Sequence, residues 1–367
     1  MKIKNIISAL LCGAFILALT AWCFFGPKDT YSESERRTLA KFPEVTWENI
    51  SSGAFATDFE KYATDAFPMR DLWRSIKAYT RLGLFAQKDN NDLFLKDGQI
   101  GKLEYPIKPE MMDYAAQLFT KVYEENFPEA DVYFAMIPDK NMFLADLKLD
   151  YAQFEDQMQE KLSFATPIEI SDLLSAEDYY NTDTHWRQDK ITDVADRLAS
   201  AMGTELPQDY TAHELDIDFY GVYAGQSAMN PEPDTITVLN NDVIKNLQVQ
   251  ILDEKTGTMK TAPVYSQKKA DGNDPYELFL SGNQALVKIT NPANPEGKRL
   301  VIFRDSFGSS IAPLLAQGYS EVTLLDLRYL GSAQIGNFVK YGLIDFENAD
   351  VLFMYSTLLL NNSTGMK

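Results

Sequence analysis

Cysteine and histidine are scarce in this 367-residue chain, which contains two of each. Both cysteines, Cys12 and Cys23, lie in one apolar run near the N-terminus. The rest of the chain therefore has no thiol, which excludes an internal disulfide, thiol catalysis and cysteine-bound zinc in that part. A three-histidine metal site is also excluded. Any mechanism that needs a histidine has only His185 and His213 as candidates.

Basic residues are also few, since 34 Lys and Arg stand against 53 Asp and Glu and the formal net charge is −19. Nucleic-acid binding depends on Lys and Arg that neutralise phosphates, so no nucleic-acid partner is expected. Anionic membrane surfaces are disfavoured for the same reason, and a neutral or basic glycan is favoured over a polyanion. The length corresponds to two or three domains, and hydrophobic residues make up 45% of the chain, which is enough for one sizeable core.

A long apolar run, Ile6 to Phe25, contains 20 consecutive uncharged positions. As a helix it would be about 30 Å long, the thickness of a bilayer core. Lys2 and Lys4 precede it, and this short positive segment predicts that the body of the chain is exported. The length of this run and the bulky residues Trp22, Phe24 and Phe25 at its end predict that residues 1–25 form an uncleaved cell-membrane anchor. A cleaved signal peptide, which would leave a secreted protein, is the alternative, and a lipoprotein is disfavoured.

Two further segments follow the apolar run. Residues 26–91 are charged and carry apolar positions at helical intervals, which predicts a helical stem. In residues 92–367, short apolar runs alternate with amphipathic helical patterns, which is typical of an α/β fold with a largely parallel sheet. The turn-rich residues 205–298 are interpreted as an insertion or lid within that domain. The predicted strands are Asp131–Ile137, Arg299–Phe303, Val322–Leu325 and Asp350–Tyr355, and the predicted helices are Met111–Asn126, Phe154–Ser163, Lys190–Met202, Ser310–Gln317 and Ala333–Tyr341.

One candidate nucleophile follows a predicted strand. Arg299–Phe303 leads into a turn that contains Ser306, and a predicted helix comes next. Open parallel sheets carry their reactive groups on the loops at the carboxyl ends of strands. A serine in such a turn exposes its hydroxyl, while N–H groups at the helix start can hold a developing oxyanion. The alternative is that Ser306 is an ordinary helix cap.

A candidate base lies in a second motif, Asp183-Thr184-His185-Trp186. A hydroxyl nucleophile needs a base, and histidine is suited to that role near neutral pH. Asp183 is placed to accept the other ring N–H of His185 and set its tautomer. The alternatives are a loop histidine beside a local cap, and a metal site that lacks further ligands at recognisable spacing. With Ser306, the pair predicts a Ser-His-Asp triad for acyl transfer.

These motifs resemble the SGNH-hydrolase-like proteins of the AlgX/AlgJ alginate O-acetylation type and, within that group, the bacterial DHHW family. The resemblance covers most of the exported chain, although the serine turn lacks Gly-Asp-Ser and Asp-Thr-His-Trp replaces Asp-His-His-Trp. It implies a three-layer SGNH-like fold with a circularly permuted motif order, in which the Asp/His pair precedes the serine. The motifs are Asp-Thr-His-Trp at 183–186, Arg-Asp-Ser-Phe at 304–307, Ser-Glu-x-Glu-x-Arg at 32–37, Phe-Pro-x-Arg-Asp at 67–71 and Ile-Pro-Asp-Lys-Asn at 137–141.

The resemblance implies an extracytoplasmic serine-dependent O-acetyltransferase that acts on a cell-surface polysaccharide through an acetyl-serine intermediate. A membrane-bound O-acyltransferase would supply the acetyl group, and no cofactor or metal ion is expected. The alternatives are a carbohydrate acetylesterase with the same triad and a non-catalytic polysaccharide-binding or assembly scaffold. The implied catalytic residues are Ser306, His185 and Asp183, and the candidate substrate or oxyanion contacts are Lys140, Trp186 and Arg304, the last with a structural ion pair as its alternative.

Overall fold

The computed structural model describes residues 2–367, which form two compact units. The first unit comprises the residues up to Asn91 together with Ala224–Pro231. The second comprises Asp92–Tyr223 and Glu232–Lys367.

The first unit begins with an apolar helix, Lys2–Phe25. Its span Ile3–Phe25 is long and apolar enough to cross a membrane, and none of that span is buried. The elements that follow are a short hairpin, Tyr31–Ser32 and Arg37–Thr38, the α-helices Trp47–Ser51, Ala54–Asp65 and Arg70–Tyr79, and a π-helix, Thr80–Leu84.

An ion-pair network joins the hairpin of this unit to its helices. The guanidinium of Arg37 donates to both carboxylate oxygens of Asp65, at 2.8 and 2.6 Å, and this pairing lowers the pKa of Asp65. Arg70 binds Glu35, and Nη2 of Arg74 lies 3.1 Å from the same carboxylate. The Ser-Glu-x-Glu-x-Arg and Phe-Pro-x-Arg-Asp motifs therefore meet in one network.

The second unit contains an eight-stranded sheet. The strands lie in the order Thr258–Ala262, Gln248–Asp253, Leu286–Thr290, Glu321–Leu325, Arg299–Arg304, Ala349–Ser356, Asp131–Ile137 and Thr166–Pro167. The last five are parallel, and the first three form an antiparallel edge. The predicted α/β class is confirmed. The three antiparallel strands come from residues 205–298, so this segment extends the sheet.

Helices cover both faces of the sheet. In the central strand, Leu300 and Ile302 join one hydrophobic cluster, whereas Val301 and Phe303 join the other. Successive side chains of a strand point to opposite faces, so the strand is buried on both sides, which explains its continuous apolar sequence. The longer helices are Pro109–Asn126, Tyr151–Lys161, Thr192–Ala201, Gly308–Leu315 and Ser332–Lys340.

Short elements complete the second unit. It contains two hairpins, Leu93–Lys96 with Gln99–Lys102 and Thr211–Glu214 with Thr237–Asn240. The short α-helices are Asn141–Leu144, Asp242–Asn246, Gln267–Ala270 and Thr357–Leu360, and Val222–Ser227 lies across the sequence boundary between the units. The 3₁₀ turns are Ser171–Leu173, Ala176–Asp178, Gln188–Lys190, Pro275–Leu278 and Ser363–Gly365.

Candidate active site

Ser306 lies in the turn that follows the central strand, Arg299–Arg304. The next helix begins at Gly308, close against the strand. A Cβ atom at Gly308 would lie 2.8 Å from the Cβ of Arg304, closer than such atoms approach in proteins. Glycine therefore lets the helix start directly behind the serine. Ser306 itself is partly exposed.

Asp305 holds this turn in place. Its carboxylate is buried and accepts hydrogen bonds from the N–H of Phe307 at 3.1 Å and the N–H of Ser356 at 2.9 Å. Ser356 ends the neighbouring parallel strand. The turn with Ser306 is thus tied both to its own helix and to the adjacent strand.

The structure brings Ser306, His185 and Asp183 together. Nε2 of His185 lies 2.7 Å from Oγ of Ser306, and Nδ1 lies 2.5 Å from Oδ1 of Asp183. Ser306 and His185 are 121 positions apart in the sequence. In this arrangement the imidazole can take the hydroxyl proton while the carboxylate orients the ring and stabilises its cation. The catalytic role of the three residues stays a prediction.

Asp183 is almost fully buried, with 1% of its surface exposed, and its carboxylate accepts N–H groups from both the imidazole ring and the backbone. Oδ1 also accepts the N–H of His185 at 3.0 Å, and Oδ2 accepts the N–H of Val222 at 2.7 Å. The chain approaches closely here, since a Cβ at Gly221 would lie 2.3 Å from the Cβ of Asp183. Glycine at 221 thus permits the contact that orients the carboxylate.

The imidazole of His185 is also held by aromatic packing. It stacks on the ring of Tyr276, with centroids 3.9 Å apart and planes 10° apart, and it contacts Phe307 at 4.9 Å. The hydroxyl of Tyr276 donates to Ser310 at 3.0 Å, and burial raises the pKa of Tyr276, so it stays a neutral donor. Tyr276 lies in the turn-rich segment, where no sequence pattern set it apart from core aromatics.

Lys140 was predicted to contact substrate or oxyanion, but the structure places it in the interior with no exposed surface. Its ammonium group donates to the carbonyls of Tyr180 and Asn181 at 2.8 and 3.1 Å. These residues lead directly into Asp183. Lys140 therefore positions the backbone of residues 180–185, which we call the Asp/His segment, from the protein interior.

Asp234 holds the same segment by accepting hydrogen bonds from its backbone N–H groups. The sequence alone did not indicate this role for Asp234. Its carboxylate accepts the N–H of Asn181 at 2.8 Å, and the N–H and hydroxyl of Thr182 at 2.7 and 2.6 Å. A single acidic residue 51 positions beyond Asp183 in a turn-rich segment carries no recognisable signal. Only the fold shows that Asp234 and Lys140 hold one short stretch of backbone.

Arg304 is a structural ion-pair partner, the alternative that the sequence left open. It has no exposed surface, its Nη1 lies 3.6 Å from Oδ2 of Asp326, and burial lowers its pKa. Asp326 in turn binds Arg328. A fully buried guanidinium paired in this way supports the strand end and is not available to a substrate.

The location of Trp186 also differs from the prediction that it contacts substrate. It is fully buried, and its indole N–H donates to the carbonyl of Phe307 at 3.1 Å and the hydroxyl of Ser310 at 2.9 Å. Both acceptors lie within four residues after Ser306. Trp186 thereby joins the segment that carries His185 to the turn that carries the serine.

The N–H groups of the serine turn are candidates for an oxyanion hole. Those of Phe307, Gly308 and Ser309 donate to groups within the turn. Among the described residues 2–367, none accepts a hydrogen bond from the N–H of Ser306. This N–H is the one that the turn leaves available for a developing negative charge.

His213, the other histidine, lies on an exposed strand, Thr211–Glu214, and takes no part in these contacts. Within the described part of the chain, no group of three or more His, Cys, Asp or Glu side chains is arranged to hold a metal ion.

Burial of Lys140 predicts a pH-dependent stability. Desolvation lowers the pKa of Lys140 from 10.5 to about 8, against the attraction of Asp139, Asp183 and Asp234. Between these pH values the unfolded chain binds more protons than the folded protein at this site, so the free energy of unfolding rises with pH. In denaturant titrations from pH 7.5 to 10.5, we expect wild type to gain roughly 3 kcal/mol relative to Lys140→Met. A constant difference across this range would show that burial does not lower the pKa of Lys140.

Replacing Asp234 is expected to impair both stability and catalysis. Asp234→Ala removes the acceptor of three hydrogen bonds, of which the N–H of Thr182 is a buried donor left unpaired, at about 1–3 kcal/mol for such a group. We expect unfolding at a clearly lower denaturant concentration. We also expect a lower kcat with an ester substrate and little change in KM, because the backbone that leads into Asp183 loses its hydrogen-bond acceptor. Asp234→Asn keeps one acceptor oxygen and should recover part of both. Equal kcat for wild type and Asp234→Ala would show that the contact is only structural.

Comparison with known proteins bears on the fold. No family model matches the sequence, and no curated protein matches it. Among solved structures, a DHHW family protein from Eubacterium siraeum matches with a TM-score of 0.58 and 22% identity, over 74% of this chain and 93% of that chain. Bacillus cereus PatB1 matches with a TM-score of 0.60 and 19% identity, over 74% of this chain and 97% of that chain.

A second PatB1 structure, with a sulfonyl adduct, matches with a TM-score of 0.59 and 20% identity over the same shares. The O-acetyltransferase domain of Pseudomonas putida AlgJ matches with a TM-score of 0.42 and 14% identity, over 73% of this chain and 92% of that chain. The solved structures that match include a DHHW family protein, so the resemblance to that family is confirmed at the level of the fold.

Proposed function

We propose that this protein is an extracytoplasmic serine-dependent O-acetyltransferase that acts on a cell-surface polysaccharide. The observation that carries the proposal is the chain of contacts from Oγ of Ser306 to Nε2 of His185 and from Nδ1 to Asp183, at 2.7 and 2.5 Å. This arrangement suits acyl transfer through a serine ester. The motifs shared with AlgX/AlgJ-type and DHHW proteins favour acetyl as the group and a polysaccharide as the acceptor.

The first half-reaction forms acetyl-Ser306. Nε2 of His185 takes the hydroxyl proton while Oγ of Ser306 bonds to the acetyl carbonyl carbon of a donor ester. The carbonyl electron pair moves onto its oxygen, which the N–H of Ser306 can stabilise. The ester C–O bond of the donor then breaks, and His185 returns the proton to the departing oxygen.

The second half-reaction transfers the acetyl group. A sugar hydroxyl loses its proton to His185 and attacks the carbonyl carbon of acetyl-Ser306. The bond between that carbon and Oγ breaks, and His185 returns the proton to Ser306. In both halves Asp183 keeps the ring oriented and stabilises the imidazolium.

The location of the donor follows from membrane topology. The helix Lys2–Phe25 fits a single-pass anchor in the cell membrane, with the body of the chain on the extracytoplasmic side. Acetyl-CoA is cytoplasmic, so the acetyl group must be delivered across the membrane. A membrane-bound O-acyltransferase is the proposed partner that delivers it.

The test is incubation of the purified full chain with an acetyl-donor ester and an oligosaccharide, followed by mass spectrometry. An acetylated sugar that Ser306→Ala does not form supports transfer. Release of acetate alone would indicate an acetylesterase, because water is then the acceptor. Equal results for wild type and Ser306→Ala would favour the non-catalytic scaffold.

A sulfonyl fluoride provides a second readout that needs no substrate. An activated serine displaces fluoride from sulfur and becomes a stable sulfonyl ester. We expect peptide mapping to place the adduct on Ser306, with much slower labelling in His185→Ala because the base is lost. Labelling of other serines at the same rate would contradict an activated Ser306.

A further inference from the structure

The stem begins directly at the end of the apolar helix. Only Gly26 and Pro27 separate Phe25 from Lys28, whose ammonium group binds the hydroxyl of Tyr62. An extended chain advances at most about 3.6 Å per residue, so Lys28 lies within roughly 11 Å of the helix end. The headgroup layer on each side of a bilayer is about 5–8 Å thick. If the helix spans a membrane, the stem therefore starts within the headgroup layer or a few Å beyond it.

A cavity in the first unit shows which stem residues lie near the C-terminal end of the apolar helix. Trp22, in the last turn of the apolar helix, lines a cavity of about 530 Å³ together with Met69 and Leu72. Tryptophan is enriched at membrane interfaces, where its ring lies among the headgroups. Met69 and Leu72 therefore lie near Trp22, around the same cavity.

Leu72 belongs to an exposed apolar face of the helix Arg70–Tyr79, and Met69 directly precedes this helix on the same face. On the other side of this helix, Arg70 and Arg74 are mostly buried and paired with Glu35. The helix is therefore amphipathic with its apolar side outward, a pattern typical of helices that lie in a membrane interface. The outward residues, which we call the stem face, are Met69, Leu72, Trp73 and Ile76, with 57, 47, 44 and 45% of their surfaces exposed.

The distribution of charge agrees with this location. Residues 26–91 contain ten basic and ten acidic side chains, whereas residues 92–367 contain 22 basic and 43 acidic ones. The excess of acidic side chains, which disfavours binding to an anionic membrane surface, thus lies outside residues 26–91. A neutral segment with exposed aromatic and aliphatic side chains meets no repulsion from anionic lipids.

We propose that the stem face lies in the interface of the membrane that the N-terminal helix crosses, so that the stem is a second, peripheral membrane contact. The proposal rests on the membrane anchorage in the proposed function, and its occupant is lipid. It makes Trp73 a lipid-contacting residue, whereas Trp186 lies in the protein interior.

Tryptophan quenching by lipids with brominated acyl chains tests this in the full chain reconstituted in vesicles. The variant Trp22→Phe/Trp47→Phe keeps Trp73 and the buried Trp186, whose emission reports folding. We expect brominated lipid to quench up to about half of the emission, since one of the two remaining rings contacts lipid. Adding Trp73→Phe should abolish this quenching.

A second variant, Trp47→Phe/Trp73→Phe, reports anchorage itself through Trp22. Quenching of Trp22 without quenching of Trp73 would overturn the stem-face proposal and leave anchorage intact. Protection of Trp73 by a second copy of the chain or by a copurified protein would also overturn it. Loss of quenching in both variants would overturn anchorage and the stem face together, and the acetyl-transfer assay would still test the catalytic proposal separately.

Discussion

Ser306→Ala is expected to lower kcat for acetyl transfer by at least about 10⁴-fold, with little change in the free energy of unfolding. The hydroxyl is partly exposed and contacts His185, so its removal takes away the nucleophile and leaves no buried group unpaired. Steady-state kinetics with an acetyl ester and denaturant unfolding measure the two effects.

Ser309→Ala is the matched control, because Ser309 lies one helical turn away and is buried. This variant should keep kcat close to that of wild type. A Ser306→Ala protein that retains activity within about tenfold of wild type would remove serine from the mechanism. Trapping of acetylated Ser306 in wild type by mass spectrometry would give independent support.

Asp183→Asn is expected to lower kcat by about 10⁴-fold. Oδ1 of Asp183 accepts Nδ1–H of His185, and Oδ2 accepts the N–H of Val222. Asparagine has only one acceptor oxygen for these two positions. If that oxygen accepts the N–H of Val222, the amide NH₂ donates to Nδ1 of His185 and the ring proton moves to Nε2. A protonated Nε2 cannot accept the proton of Ser306. The opposite orientation sets NH₂ against the N–H of Val222.

Asp189→Asn is the control, because Asp189 lies close in sequence and its carboxylate pairs with Arg187 instead of His185. Its effect on kcat should be small. The double variant Ser306→Ala/Asp183→Asn should be barely slower than Ser306→Ala alone, since the residues act as one unit. Additive losses in the double variant would contradict a shared role.

The central strands could be recognised from the sequence because they are buried on both faces. Arg299–Phe303 and Asp350–Tyr355 read as continuous apolar runs, and such runs are distinctive. The antiparallel strand Gln248–Asp253 instead mixes exposed and covered positions in a turn-rich segment. Its pairing partners, Thr258–Ala262 and Leu286–Thr290, depend on a register that local sequence does not specify.

Site residues differ in the same way. Ser306 and the Asp183/His185 pair stood out because each lies in a local motif with recognisable chemistry. Lys140 lies just after a strand end, a position typical of active-site residues, but its side chain turns into the interior toward carbonyls 40 positions away. Whether a polar side chain after a strand points to solvent or to the core depends on what packs above it.

By itself, the sequence determined the apolar N-terminal helix, the α/β class and the three side chains available for a serine mechanism, because these follow from local composition, periodicity and scarcity. Only the tertiary structure decided that Ser306 meets His185 across 121 positions, that Lys140, Trp186 and Arg304 are buried supports, and that Asp234 holds the Asp/His segment. The physical reason is that burial and hydrogen-bond partners are set by long-range packing, which one chain segment does not encode alone.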